Sequence, residues 1–110
     1  ALAADHLARQ GYRLRERNFR CKLGEVDLIC EDRGTLVFVE VKARRGCAFG
    51  DPAASVTWQK QRRLVAMAAD YLARHHLERA AVRFDVVSVE FRADGAPVVT
   101  VIPDAFRPGW

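Results

Sequence analysis

Nowhere in its 110 residues does the sequence hold an apolar run approaching the roughly 20 residues that a membrane-spanning helix requires. No secretory signal, internal repeat, linker or low-complexity tract is visible either, so the chain reads as one domain, long enough for a single core. The cysteines Cys21, Cys30 and Cys47 are odd in number and lack the paired C-x₂₋₄-C spacing of a zinc site. Reduced thiols in a cytoplasmic protein are therefore expected. An initial Met is missing as well, from which a trimmed upstream segment is expected.

Half of the residues are hydrophobic and 29% are charged, the balance of a globular domain rather than a disordered chain. Lys and Arg outnumber Asp and Glu by 18 to 14, a modest basic bias compatible with a polyanionic partner.

The chain is organised around Gly24 to Arg45. Two runs rich in Val, Ile, Leu and Phe flank Asp32-Arg33-Gly34-Thr35 and predict a β-hairpin turning at Arg33-Gly34. With a two-residue loop, facing positions sum to 67, which sets Asp27 opposite Glu40 and Glu25 opposite Lys42. Strand alternation then puts these four side chains on one face and Val26, Leu28, Val39 and Val41 on the other. Like charges facing each other in a sheet are destabilising, and these lie among apolar neighbours. Two readings follow: a solvated face with Lys42 neutralising the acids, or a site for a divalent cation. Mg²⁺ takes one or two carboxylates and keeps several waters, leaving room for phosphate oxygens.

Asp27 followed thirteen residues later by Glu40-Val41-Lys42 is similar to the D…E-x-K signature of the PD-(D/E)XK nuclease superfamily, which includes restriction endonucleases and archaeal Holliday-junction resolvases. The surrounding text is more specific. Asn18-Phe19-Arg20, Gly24-Glu25-Val26-Asp27-Leu28-Ile29, Phe38-Val39-Glu40-Val41-Lys42, Phe49-Gly50, Lys60-Gln61, Arg83-Phe84-Asp85-Val86-Val87 and Asp104-Ala105-Phe106, in that order, resemble the bacterial YraN family over essentially the whole chain. The resemblance implies a restriction-endonuclease-like fold. It also implies that Asp27, Glu40 and the main-chain carbonyl of Val41 hold Mg²⁺ or Mn²⁺. In that family and in the resolvases, the first helix adds a Glu in the pattern E-x-x-A-x-x-x-L-x-x-x-G. Ala3, Leu7 and Gly11 match its last three anchors, so the Glu is expected one position before residue 1.

In chain order, residues 1–10 predict a helix capped by Gly11, and Tyr12 to Phe19 a strand whose arginines share one face. Asn18 to Leu23 reads as a basic connection into the hairpin. Beyond Lys42, residues 43–52 carry Arg44, Arg45, two glycines and a proline, and read as a loop. Ser55 or Thr57 starts a long helix running to His75 or His76, with Lys60 on its core-facing stripe in want of an anion. Arg83 to Phe91 and Val98 to Ile102 predict two more strands, followed by a helical turn at Pro103 to Phe106. The hairpin strand, helix and next strand make a βαβ unit with parallel strands. The expected architecture is thus α/β, a mixed sheet of four to five strands flanked by helices in the order α-β-β-β-α-β-β. Asp85 has Arg83 two positions away as a structural partner and is left out of the site.

The functional expectation is a metal-dependent, structure-selective endonuclease acting on branched or damaged DNA, or a diverged relative. Asp27, Glu40 and Lys42 would be catalytic, Lys42 orienting the attacking water or steadying charge on the phosphate. Flanking carboxylates keep Lys42 charged, which disqualifies it as the general base. Glu25 would hold Lys42 or a metal-bound water from behind, and Arg44, Arg45 and Lys60 would follow the nucleic-acid backbone. The alternatives are a non-catalytic nucleic-acid-binding module of the same fold and a metal-free protein-interaction domain. A homodimer is expected from the resolvase resemblance alone.

Overall fold

A computed structural model describes residues 2–45 and 52–108. Its elements are α1 (Leu2–Arg9), β1 (Arg13–Cys21), β2 (Gly24–Asp32), β3 (Thr35–Arg45), α2 (Trp58–Arg74), β4 (Val82–Phe91) and β5 (Val98–Phe106), with a short 3₁₀ turn at Pro52–Ser55. The strands form one sheet in the order β1-β2-β3-β4-β5, antiparallel except for the parallel pair β3/β4. This is the α/β architecture expected from sequence, and it agrees with a restriction-endonuclease-like arrangement.

The hairpin forms for a local reason. Arg33 (φ 53°) and Gly34 (φ 85°) both occupy the left-handed region, as a two-residue turn matching the twist of the flanking strands requires. The register runs from Asp32↔Thr35 to Leu28↔Val39, every pair summing to 67.

Each face of the sheet is covered by one helix. In β3, Leu36 and Phe38 pack beneath α2, whereas Val37 and Val39 pack beneath α1, so residues 36–39 form a continuous apolar run. Helix α2 starts at Thr57, whose hydroxyl accepts the Lys60 amide, and presents Leu64, Met67, Ala68, Tyr71 and Leu72 at helical spacing. Tyr71 sits edge-on to Phe19 and Phe38, at ring separations of 5.3 and 5.8 Å, contacts worth about 0.5–1.5 kcal/mol each beyond burial. On the other face, Ala3, Ala4 and Leu7 of α1 close over Leu28, Val37, Val39, Val87 and Val89. The shorter helix carries the smaller residues and lies over a valine-rich floor.

Four expectations are corrected. Val26 does not share a face with Leu28: it packs under α2 with Phe19, while Leu28 packs under α1. The change of face coincides with Asn18, at φ 54° within β1, on the rung between Arg17↔Leu28 and Phe19↔Val26. Asn tolerates this left-handed conformation, and the alternation of both strands breaks there. The basic connection at 18–23 is mostly strand, since β1 runs to Cys21. Arg44 and Arg45 lie on β3, paired with Glu90 and Phe91 of β4, rather than in a loop; residues 46–51 of that expected loop fall outside the described residues. Finally, Pro103 to Phe106 is extended, because Asp104 (φ 51°) bulges the edge strand and donates its amide to Asp85 at 2.9 Å. Pro103 is tolerated there because β5 is an edge strand among the described residues.

Candidate metal centre

The pairing of β2 with β3 stops at Leu28↔Val39. The next hydrogen-bonded rung in that register would join Val26 to Val41, but the Val41 amide donates instead to the Asp27 carboxylate at 2.8 Å. Asp27 thus occupies the gap where the two strands part. In an antiparallel ladder a residue directs its N–H and C=O to the same neighbour, so the Val41 carbonyl faces this gap as well.

Glu40 projects on the α2 side of β3 and comes close enough to Asp27 for the two carboxyl groups to interact directly. Burial pushes the Asp27 carboxyl up to about 6; the Val41 amide opposes this, while Glu40 and Glu25 add to it by charge repulsion. Lys42 reaches Glu40 at 3.4 Å, with side-chain exposures of 21% and 18%. Lys60, arriving from the first turn of α2, contacts the Lys42 amine. That contact raises the pKa of Lys42, with help from Glu40, and lowers that of Lys60, where Glu40 opposes it, so Lys42 is the more firmly protonated of the pair. Two carboxylates and two lysines from β2, β3 and α2 therefore converge.

Glu25 is turned away from Lys42. Arg20 holds it at 2.7 Å and Asn18 at 3.4 Å, which lowers its pKa. The expected rung with Lys42 does not form, because the strands have already separated; Glu25 acts on Asp27 through charge alone. Arg44 and Arg45 continue along β3 beyond Lys42, toward the same end of the sheet.

Among the described residues, no three His, Cys, Asp or Glu side chains gather into a metal-binding group. The Asp27–Glu40 pair with the Val41 carbonyl is nonetheless a donor set suited to Mg²⁺ or Mn²⁺, which accept one or two carboxylates and retain water. Its chemistry fits: an oxygen-only pair, partly withdrawn from solvent, whose mutual repulsion a cation would relieve.

A cavity of about 310 Å³ opens beside Asp27 on the α1 side, lined by Leu2, Ala3, Arg17, Asn18, Val41 and Phe91 among others. Sequence reasoning gave neither Asn18, quoted within a family motif, nor Phe91 a place beside the site. The signal for Asn18 was present, since an Asn between Arg17 and Phe19 inside a strand marks a tolerated left-handed position. Phe91 reads from sequence as the last apolar residue of a buried strand, and only the sheet's end leaves it exposed.

A second ionic cluster occupies the opposite end of the sheet. Asp85, with a fully buried side chain, accepts from Arg83 at 2.9 Å through both oxygens, from the Tyr12 hydroxyl at 2.9 Å and from the Asp104 amide. Arg83 also pairs with Asp32 at 3.0 Å. Asp85 is therefore the structural acid expected from its neighbour.

Comparison with known proteins bears on residues 1–89, which match the profile described as uncharacterised protein family UPF0102. A UPF0102 protein of Symbiobacterium thermophilum is 51% identical over 105 residues, covering 96% of this chain and 89% of the relative. Those of Geotalea uraniireducens and Anaeromyxobacter dehalogenans are each 49% identical, covering 97% and 99% of this chain and 84% of each relative. With the profile and full-length relatives in agreement, the chain belongs to the uncharacterised protein family UPF0102, the YraN family that its motifs resemble.

Proposed function

We propose that this protein is a Mg²⁺- or Mn²⁺-dependent phosphodiesterase that cleaves branched or damaged DNA in the cytoplasm. The observation that carries the reading is the meeting of Asp27 and Glu40 at the parting of β2 and β3, with Lys42 and Lys60 alongside. Carboxylates that repel one another are an unfavourable way to build a salt bridge and a favourable way to prepare a cation site. A divalent ion bound there supplies positive charge for phosphate oxygens and makes water easier to deprotonate. Asp27, Glu40 and the Val41 carbonyl hold it. Lys42, kept charged by its neighbours, steadies charge developing on the phosphate. Glu25 stays clear of the reacting atoms and adds negative potential. Arg44, Arg45 and Lys60 extend the positive surface along which a phosphate backbone runs.

The test is cleavage of forked, flapped, four-way and single-stranded DNA with Mg²⁺, Mn²⁺ or EDTA, comparing the native chain with Asp27→Asn and Glu40→Gln. Metal-dependent cleavage lost in both variants is expected. Binding without cleavage in any metal would leave a nucleic-acid-binding module of the same fold. Cleavage that survives both substitutions would end the site assignment.

A further inference from the structure

Phe91 closes β4 with 42% of its surface exposed, and among the described residues its ring meets no other aromatic ring and no guanidinium. It is a wall shared by two openings. One is the 310 Å³ cavity that reaches Asp27; the other, about 640 Å³, is lined by Ala43, Arg44, Arg45, Phe91, Arg92 and Ala93. Ala43 and Phe91 border both, so the two openings meet at the Phe91 ring, one reaching Asp27 and the other Arg44, Arg45 and Arg92. Within this cluster Arg92 pairs with Glu90 at 3.5 Å.

Resting on the nucleic-acid reading above, we propose that this groove takes an unpaired stretch of nucleic acid, one base stacking on Phe91 while Arg44, Arg45 and Arg92 hold the flanking phosphates. An exposed aromatic ring flanked by cations matches the two repeating chemistries of a single strand, flat bases and phosphates. The ring lines the groove, and a cavity of 310 Å³ is of small-ligand size, which a splayed base enters and a stacked duplex does not. Trp58 on α2 is more exposed, at 66%, but its ring already faces Arg62 at 4.8 Å and it borders a different cavity. An apolar protein segment fits the Leu2 and Phe91 surface less well, since covering it would also desolvate three arginines. The consequence is a substrate preference: a phosphodiester next to an unpaired base is drawn toward Asp27.

The experiment uses the whole chain in EDTA, so that binding is read without cleavage. The probes are oligonucleotides of about ten nucleotides carrying one 2-aminopurine, single-stranded or fully paired, a length within the usual single-strand site sizes. Tighter single-strand binding is expected, with the probe's fluorescence quenched by stacking. Phe91→Ala should weaken it roughly tenfold and abolish the quenching, and Phe91→Trp should retain both. Arg45→Gln and Arg92→Gln should each lower the salt dependence of binding. Equal affinity for single strand and duplex, unchanged in Phe91→Ala, would overturn this inference while leaving the Asp27–Glu40 assignment to its own cleavage test. A dimer in sedimentation that Phe91→Ala dissociates would also overturn it, giving the groove to a second copy of the chain.

Discussion

Asp85 and Asp27 sit at opposite ends of one sheet and are treated in opposite ways. Asp85 is fully buried and every demand of its charge is met, by a two-pronged arginine, a phenol and an amide. Asp27 is only partly buried, yet it receives one amide and faces a second carboxylate, which together with burial raises its pKa to about 6. Burial alone therefore does not decide how an acid is held. What differs is compensation: Asp85 is surrounded by donors, whereas Asp27 has one amide and a like charge beside it.

The largest expected effect is at the completed end. Asp85→Ala strands Arg83 and the Tyr12 hydroxyl around a vacated buried position, and should cost about 3–5 kcal/mol in urea unfolding. A loss under 1 kcal/mol would mean that the cluster is not what pins β5 and Tyr12 to the sheet.

At the incomplete end the sign should reverse when a cation is supplied. Mn²⁺ at a hundredfold excess over its dissociation constant should stabilise the native chain by about 2.7 kcal/mol, and neither Asp27→Asn nor Glu40→Gln by a comparable amount. Equal stabilisation of all three proteins would place the metal elsewhere.

Without metal, Asp27 should make the protein more stable in mild acid. Its carboxyl titrates near 6 when folded and near the usual 3.8 when unfolded, so between these values the folded state holds a proton that the unfolded chain has released. Stability should thus rise as pH falls from 7 toward 4, by about 1–2 kcal/mol after solvent screening. Asp27→Asn retains an acceptor for the Val41 amide and should flatten that slope. The same slope in the Asn variant would assign it to another group.

The smallest effect concerns Lys60. Since Lys42 stays protonated beside it, Lys60→Gln should scarcely alter stability, yet lower the slope of log affinity against log salt by about 0.7–0.9, one phosphate contact. An unchanged slope would remove Lys60 from the nucleic-acid surface.

Much of this arrangement was legible in the residues alone, because short-range rules dictated it. Arg33-Gly34 set the turn, the turn set the register, and the register brought Asp27 and Glu40 together. Thr57 and the spacing of Leu64, Ala68 and Leu72 determined α2, which carried Lys60 to the same place. Other features depended on distant partners. That the β2–β3 ladder ends at Leu28, with Asp27 accepting a strand amide, goes together with the left-handed Asn18 on a neighbouring strand. The extended course of Pro103 to Phe106, in place of a helical turn, follows from the Asp104 amide finding Asp85 and from Phe106 stacking on Phe84 at 5.0 Å. Local sequence thus determined the Arg33-Gly34 turn and the apolar stripe of α2, since those depend on adjacent dihedrals and on helical spacing. Only the tertiary structure decided where pairing stops, which acid is completed and which aromatic ring is left bare, because each of those is settled by groups that the chain brings together from far apart.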